Sequence, residues 1–273
     1  MCNRVNYIAQ LVVVLGGVLS MKLYYSAASV NQLRWILAPT TVLVEFVTGR
    51  HFTFESHAGY MSSDHTFLIA ASCAGVNFLI TAFLMLTLRQ LWQNRLTQKH
   101  QEHWRQWLFL PFAAGVAYAT TLMANTARIS IALQMQQMSF RFGWLDAEQL
   151  HRLEGIIVYF GFLLMLFVLR ERTRSASEKK VGRLSVLRAC VFPLLIYYVV
   201  TLALPLANGA YRHSSFWEHS LFVVFAPVAI VLMIGVFDKL QFVVRCGTTQ
   251  CSGTQSVPSA VADGCEAKSP VAT

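Results

Sequence analysis

The chain has 273 residues, of which 55% are hydrophobic, 12% aromatic and only 13% charged. A soluble globular protein carries about 25% charged residues, so this deficit, with a mean hydropathy of +0.49, excludes an ordinary soluble domain and points to an integral membrane protein. The net charge of +9 would suit a nucleic-acid binder, but the cations cluster in short loops between apolar runs, which is the pattern of membrane topology.

A spanning helix needs about 20 mainly apolar residues. In chain order the candidate spans are 8–27, 33–49, 67–88, 107–133, 154–170, 189–208 and 220–238. They predict an all-α, polytopic transmembrane helix bundle of about seven spans, or about six if the second run is not a full crossing. That run is the shortest and contains Pro39. The first run has no basic stretch before it beyond Arg4 and reads as a span rather than a cleaved leader. The membrane-embedded domain is expected over 1–240, and a small-residue, polar, disordered cytoplasmic tail over 241–273.

Cys2, Cys73, Cys190, Cys246, Cys251 and Cys265 have the spacing of neither a disulfide framework nor a zinc site. His51, His57 and His65, ahead of the third span, match no strong metal motif.

Orientation follows from the loops. Loop 89–106 holds Arg89, Arg95, Lys99 and Arg105, and loop 170–188 holds Arg170, Arg172, Arg174, Lys179, Lys180, Arg183 and Arg188. With seven spans the two loops share a side with the tail, so that side is cytoplasmic and the N-terminus lies outside. If the second run does not cross, the N-terminus moves inside and the rest stays put, because these two loops fix it.

Three reactive residues then fall at the outer face. Cys73 lies about 10 Å below the start of the third span, and Arg128 roughly 8 Å from the end of the fourth. His151 precedes the fifth. Cys73 and Asn77 are four apart and predict one shared helical face, as do Asn125 and Arg128, three apart. An arginine at the centre of a span costs around 3 kcal/mol, and a polar pair on one face suggests a polar cavity. Arginine has five donors and a permanent charge, which suit it to hold an oxyanion or to stabilise a nearby thiolate. Taken singly, each residue has a plainer reading. Cys73 is a small hydrophobe, Arg128 an interfacial snorkelling side chain, and His151 an exposed loop residue. His57, His65, His213 and His219 compete for the role of base. Gly155 and Tyr159 follow His151 at four-residue intervals, and Gly155 would admit close helix approach.

Cys73 in Ser-Cys-Ala-Gly-Val-Asn-Phe, Asn125-Thr-Ala-Arg128-Ile and His151-Arg-Leu-Glu-Gly155 together resemble the exosortase/archaeosortase family, most closely exosortase K. The resemblance covers residues 60–165. It implies a membrane cysteine transpeptidase or protease of the bacterial plasma (inner) membrane, with its active site on the extracytoplasmic side. Cys73 would be the nucleophile, Arg128 the stabilising cation and His151 the general acid/base. Asn125 matches the asparagine of the family's N-x-x-R element, and Asn77 and Gly155 would support the site. The implied substrates are secreted proteins with a C-terminal sorting tail of short motif, transmembrane helix and basic cluster. The lipid bilayer is the surrounding partner and nucleic acid is not one. The mechanism calls for no metal and no organic cofactor. The rival expectations are a transporter in which Arg128 and Asn125 bind an anion, a scaffolding subunit of an envelope polysaccharide system, and a membrane metalloprotease.

Overall fold

A computed structural model describes residues 2–97, 103–137, 147–177, 186–207, 212 and 214–251. Helix α1 (Cys2–Ala27) is followed by α2 (Arg34–Thr48), strands β1 (Phe52–Glu55), β2 (Gly59–Ser62) and β3 (Leu68–Ile69), and a 3-10 turn at Ala71–Ala74. Helices α3 (Val76–Thr97), α4 (His103–Gln137), α5 (Ala147–Ser177) and α6 (Val186–Tyr198) come next. A π-helical turn (Val199–Ala203), α7 (Leu204–Ala207) and α8 (Ser214–Cys251) complete the order.

The protein is mostly helical, and five helical segments are long and apolar enough to cross a membrane: Val5–Ala27, Ala71–Arg95, Gln106–Gln136, Gln149–Thr173 and Phe216–Phe237. A shorter apolar segment covers Cys190–Leu206. On α1 and α8 large apolar side chains such as Ile8, Val12, Leu221 and Phe225 face outward. A protein in water would not tolerate so much of this surface, whereas acyl chains would cover it.

Side-chain contacts define the two ends of the bundle. At one end Asn6 donates to Gln106 at 2.7 Å, the Arg95 guanidinium lies over the Tyr7 ring, and Arg89 pairs with Glu171 at 3.0 Å. The start of α1, the end of α3, the start of α4 and the end of α5 therefore meet there, with the basic loops. At the other end Lys22 donates to Asn77 at 2.7 Å, Phe78 stacks on Tyr159 with centroids 5.1 Å apart, and Gln149 donates to Glu218 at 2.6 Å. The end of α1 and the start of α3 thus lie together, so residues 28–75 leave and rejoin the bundle at one end. The expected crossing at 33–49 is replaced by the 15-residue helix α2, which is too short to span alone. This corrects the seven-span layout toward its alternative, in which the N-terminus shares the end of the basic loops.

Helix α2 keeps its kink satisfied. Pro39 has no N–H and leaves the carbonyl of Trp35 without its helical donor; the Tyr118 hydroxyl of α4 donates to that carbonyl at 2.8 Å. Thr40 and Thr41 return their hydroxyls to the carbonyls of Ile36 and Leu37, so no side-chain polar group of this stretch is left bare in an apolar setting.

The all-α expectation needs one further correction. Residues 52–69, expected as a loop and the start of a span, form a three-stranded antiparallel sheet in the order β1-β2-β3. Thr53 pairs with Met61 and Tyr60 with Ile69. Gly59, at φ +135°, lies where a Cβ would collide with the carbonyl of Ile69. The sheet buries Phe52, Tyr60 and Ile69 against Leu33, Ile36, Leu37 and Ile129. A second core of Met85, Ala117, Phe160, Leu163 and Phe167 joins α3, α4 and α5, with the small residues Ala82, Ala113 and Ala117 at the helix contacts. Of the tail expected to be disordered over 241–273, residues 241–251 continue α8, and the remainder lies outside the described residues.

Candidate active site

Cys73 stands on a 3-10 turn rather than on an α-helix. The short strand β3 delivers the chain into the 3-10 turn Ala71–Ala74, and Gly75 ends that turn in the left-handed region at φ +66°. Helix α3 starts only at Val76. The expected common face for Cys73 and Asn77 is therefore broken. Asn77, exposed on the first turn of α3, accepts the hydrogen bond from Lys22 of α1 and so ties α1 to α3 beside the site. Glycine is required at position 75 for two reasons. Its φ is positive, and a Cβ there would run into the side-chain amide of Asn125.

The turn is held from α4. The buried Asn125 donates through Nδ2 to the carbonyl of Ala74 at 2.9 Å and accepts at Oδ1 from the Tyr159 hydroxyl at 2.8 Å. That hydroxyl in turn accepts from Arg128 Nη1 at 2.8 Å. The other arm of the guanidinium, Nη2, lies 3.7 Å from Cys73 Sγ. A continuous relay thus runs from the arginine through tyrosine and asparagine to the backbone that carries the cysteine. Every member has a partner, so the network rigidifies rather than strains its surroundings. The guanidinium also lies over the Tyr159 ring, 5.4 Å from its centroid. These contacts offset the expense of burying a cation among apolar helices.

Helix α5 begins early, at Ala147, so His151 lies inside it rather than ahead of it. His151, Gly155 and Tyr159 consequently share one face, and all three line a cavity of 300 Å³ with Ser72, Asn77 and Arg128. Gly155 lies beside the arginine, and a Cβ there would make only ordinary contact, 3.5 Å from Arg128 Cδ, so the expected need for glycine at this close approach is not seen. His151 is 3.4 Å through Nδ1 from Glu154 Oε2. Among the described residues no hydrogen bond joins His151 to Cys73. His219 of α8 and Thr201 of the π-helical turn line the same cavity. Of the competing histidines, His57 and His65 stand in the loops of the sheet, and His213 lies outside the described residues. No group of three or more His, Cys, Asp or Glu side chains is arranged to hold a metal ion among the described residues.

Several of these roles escaped sequence reading. Tyr159 stood at helical spacing from His151 and Gly155, and that signal was present. Gly75 could have been found from its position between two polar motifs. Lys22 and the π-helical turn carry no signal, because their place at the site depends on how distant helices pack. Within the turn the Leu204 N–H donates to the carbonyl of Val199, five residues back, and Pro205, next in the chain, has no N–H to give Thr201.

Comparison with known protein families, with curated proteins and with solved structures returns no match.

Proposed function

We propose that the chain is a membrane-embedded cysteine transpeptidase or protease of the exosortase type, acting on the C-terminal sorting tail of secreted proteins at the outer face of the plasma membrane. The observation that carries this reading is the 3.7 Å approach of the Arg128 guanidinium to Cys73 Sγ. A thiol that merely fills space gains nothing from a cation drawn out of water, whereas a nucleophile does. Support for the side of action is that this contact lies at the bundle end remote from Arg89, Arg95, Arg170 and Arg172, the end that charge distribution assigns to the exterior.

In this mechanism the substrate's tail helix lies against the bundle and its scissile carbonyl enters the cavity. The Cys73 thiol gives its proton to His151 as sulfur bonds to the carbonyl carbon. The resulting oxyanion is held by Arg128. The C–N bond then breaks, the leaving amine takes the proton back from His151, and a thioester on Cys73 remains. An acceptor amine or a water releases the acyl group.

The test is processing in cells of a reporter ending in a short motif, an apolar helix and a basic cluster. Wild type should yield the shortened product, and Cys73→Ser should accumulate the precursor. Continued appearance of shortened reporter in the Cys73→Ser cells ends the reading. Function intact in Cys73→Ala but lost in Arg128→Ala would mark an anion-handling transporter instead.

A further inference from the structure

We propose that Glu154 is a positioning residue that orients the His151 ring so that Nε2 is the nitrogen that exchanges protons; this rests on the catalytic reading of His151 given above. Glu154 follows His151 by one helical turn and is only 8% exposed. Neither of its carboxylate oxygens has a hydrogen-bond partner among the described residues, and Oε2 lies 3.4 Å from His151 Nδ1. A buried carboxylate without hydrogen bonds is expensive. An apolar residue would fill the same buried space at no such expense, so packing gives no reason for a carboxylate here.

A reason follows from the chemistry of imidazole. The neutral ring carries one N–H, and the hydrogen bond made by one nitrogen decides which tautomer is present. On this assignment the 3.4 Å contact of Nδ1 with Glu154 Oε2 becomes a hydrogen bond in the working enzyme, which puts the N–H on Nδ1 and the lone pair on Nε2. His151 lies on the wall of a cavity also lined by Arg128 and by Ser72 and Gly75, which flank Cys73 in the chain, and on the catalytic reading that lone pair takes the Cys73 proton when sulfur adds to a carbonyl. The imidazolium then has both nitrogens protonated and faces the carboxylate through Nδ1. Nε2–H passes to the departing amine, and the ring returns to its first tautomer. The separation of 3.4 Å is that of an ion pair, and contacts of this kind commonly tighten when substrate arrives. The other charged or titratable groups around the pair include Arg128 of α4, Cys73 of the turn, Arg152 and Tyr159 of α5 itself and His219 of α8.

The experiment uses the full chain in lipid nanodiscs, ¹⁵N-labelled at histidine, with His151 assigned through His151→Gln. At mildly alkaline pH the wild-type His151 should carry its proton on Nδ1. Glu154→Gln should shift it toward the Nε2–H tautomer, and Glu154→Asp should retain the Nδ1–H form in part. On the processing reporter, Glu154→Gln should lower turnover at saturation by roughly 100-fold while leaving half-saturation within about threefold. A wild-type ring protonated on Nε2, or a tautomer unmoved by Glu154→Gln, overturns the assignment; the wild-type spectrum decides even if a variant does not fold. If Cys73→Ser still processes the reporter, the peptidase reading fails, while the tautomer measurement still judges Glu154.

Discussion

Arg128 Nη2 lies 3.7 Å from Sγ of Cys73, although the two residues are 55 positions apart in the chain. A guanidinium so placed can meet both the sulfur and any oxyanion that forms beside it. On the proposed peptidase reading, Arg128→Ala should lower product formation by about 10²–10³-fold, the usual effect of removing an oxyanion donor. Arg128→Lys should recover little, because a point charge cannot hold Tyr159 and Cys73 together. The measurement is reporter cleavage per enzyme in membranes, with expression levels matched.

Tyr159→Phe tests the relay. The change keeps the ring that stacks on Phe78 but leaves Arg128 Nη1 and Asn125 Oδ1 each without a partner. Stability should fall by about 1–3 kcal/mol, read as a lowered thermal midpoint in detergent or nanodiscs. A variant as stable as wild type would show that water replaces the hydroxyl.

Gly75→Ala should be more harmful than its single methyl suggests. The backbone is left-handed there, which costs a non-glycine residue roughly 1–2 kcal/mol, and the methyl also collides with Asn125. Combining it with Asn125→Ala removes the collision but not the backbone strain. The double variant should thus lose less stability than the sum of the two single changes. Strict additivity would place the damage in the backbone alone.

The arrangement of α1 against α3 and α4 predicts side-specific labelling. In intact cells a membrane-impermeant thiol reagent should modify Ser56→Cys, at the tip of the β1–β2 hairpin, and should spare both Asn94→Cys and the native Cys2. Peptide mapping by mass spectrometry separates the sites. Labelling of Cys2 together with Ser56→Cys would restore a full crossing by α2, and labelling of Asn94→Cys would invert the orientation.

The β2–β3 loop offers a prediction about pH. Asp64 accepts from the Ser62 hydroxyl at 2.6 Å and from the Thr66 backbone, with Arg50 3.5 Å away. Chiefly through those hydrogen bonds its carboxyl is held down to about 2. A carboxyl whose folded value is depressed contributes stability that is fully present above its ordinary value of about 3.9 and is lost as the pH falls through the folded value. The loop should therefore loosen only between about pH 4 and pH 2. Carboxyl NMR should find Asp64 titrating near the lower figure, and Ser62→Ala should move it upward.

What sequence alone could determine here was whatever is set by composition and by short-range periodicity. Too few charges and long apolar runs require a membrane helix bundle, whatever the packing. The run of cations in loops 89–106 and 170–188 marks one end of it, and polar residues at helical spacing, such as Asn125 with Arg128, mark a shared face. Local pattern misled where the backbone departs from the regular helix. The apolar stretch from Phe67 through Ala74 reads as the start of a span, yet it pairs with β2 and then coils into a turn, because Gly75 in its left-handed conformation resets the chain. Only the tertiary structure could decide that residues 28–75 leave and rejoin the bundle at one end, that Lys22 reaches Asn77, and that Tyr159 bridges Arg128 to Asn125. Each of these depends on contacts between segments tens of residues apart, whose energy exists only once the helices are packed, and a linear pattern of hydrophobicity holds no record of them.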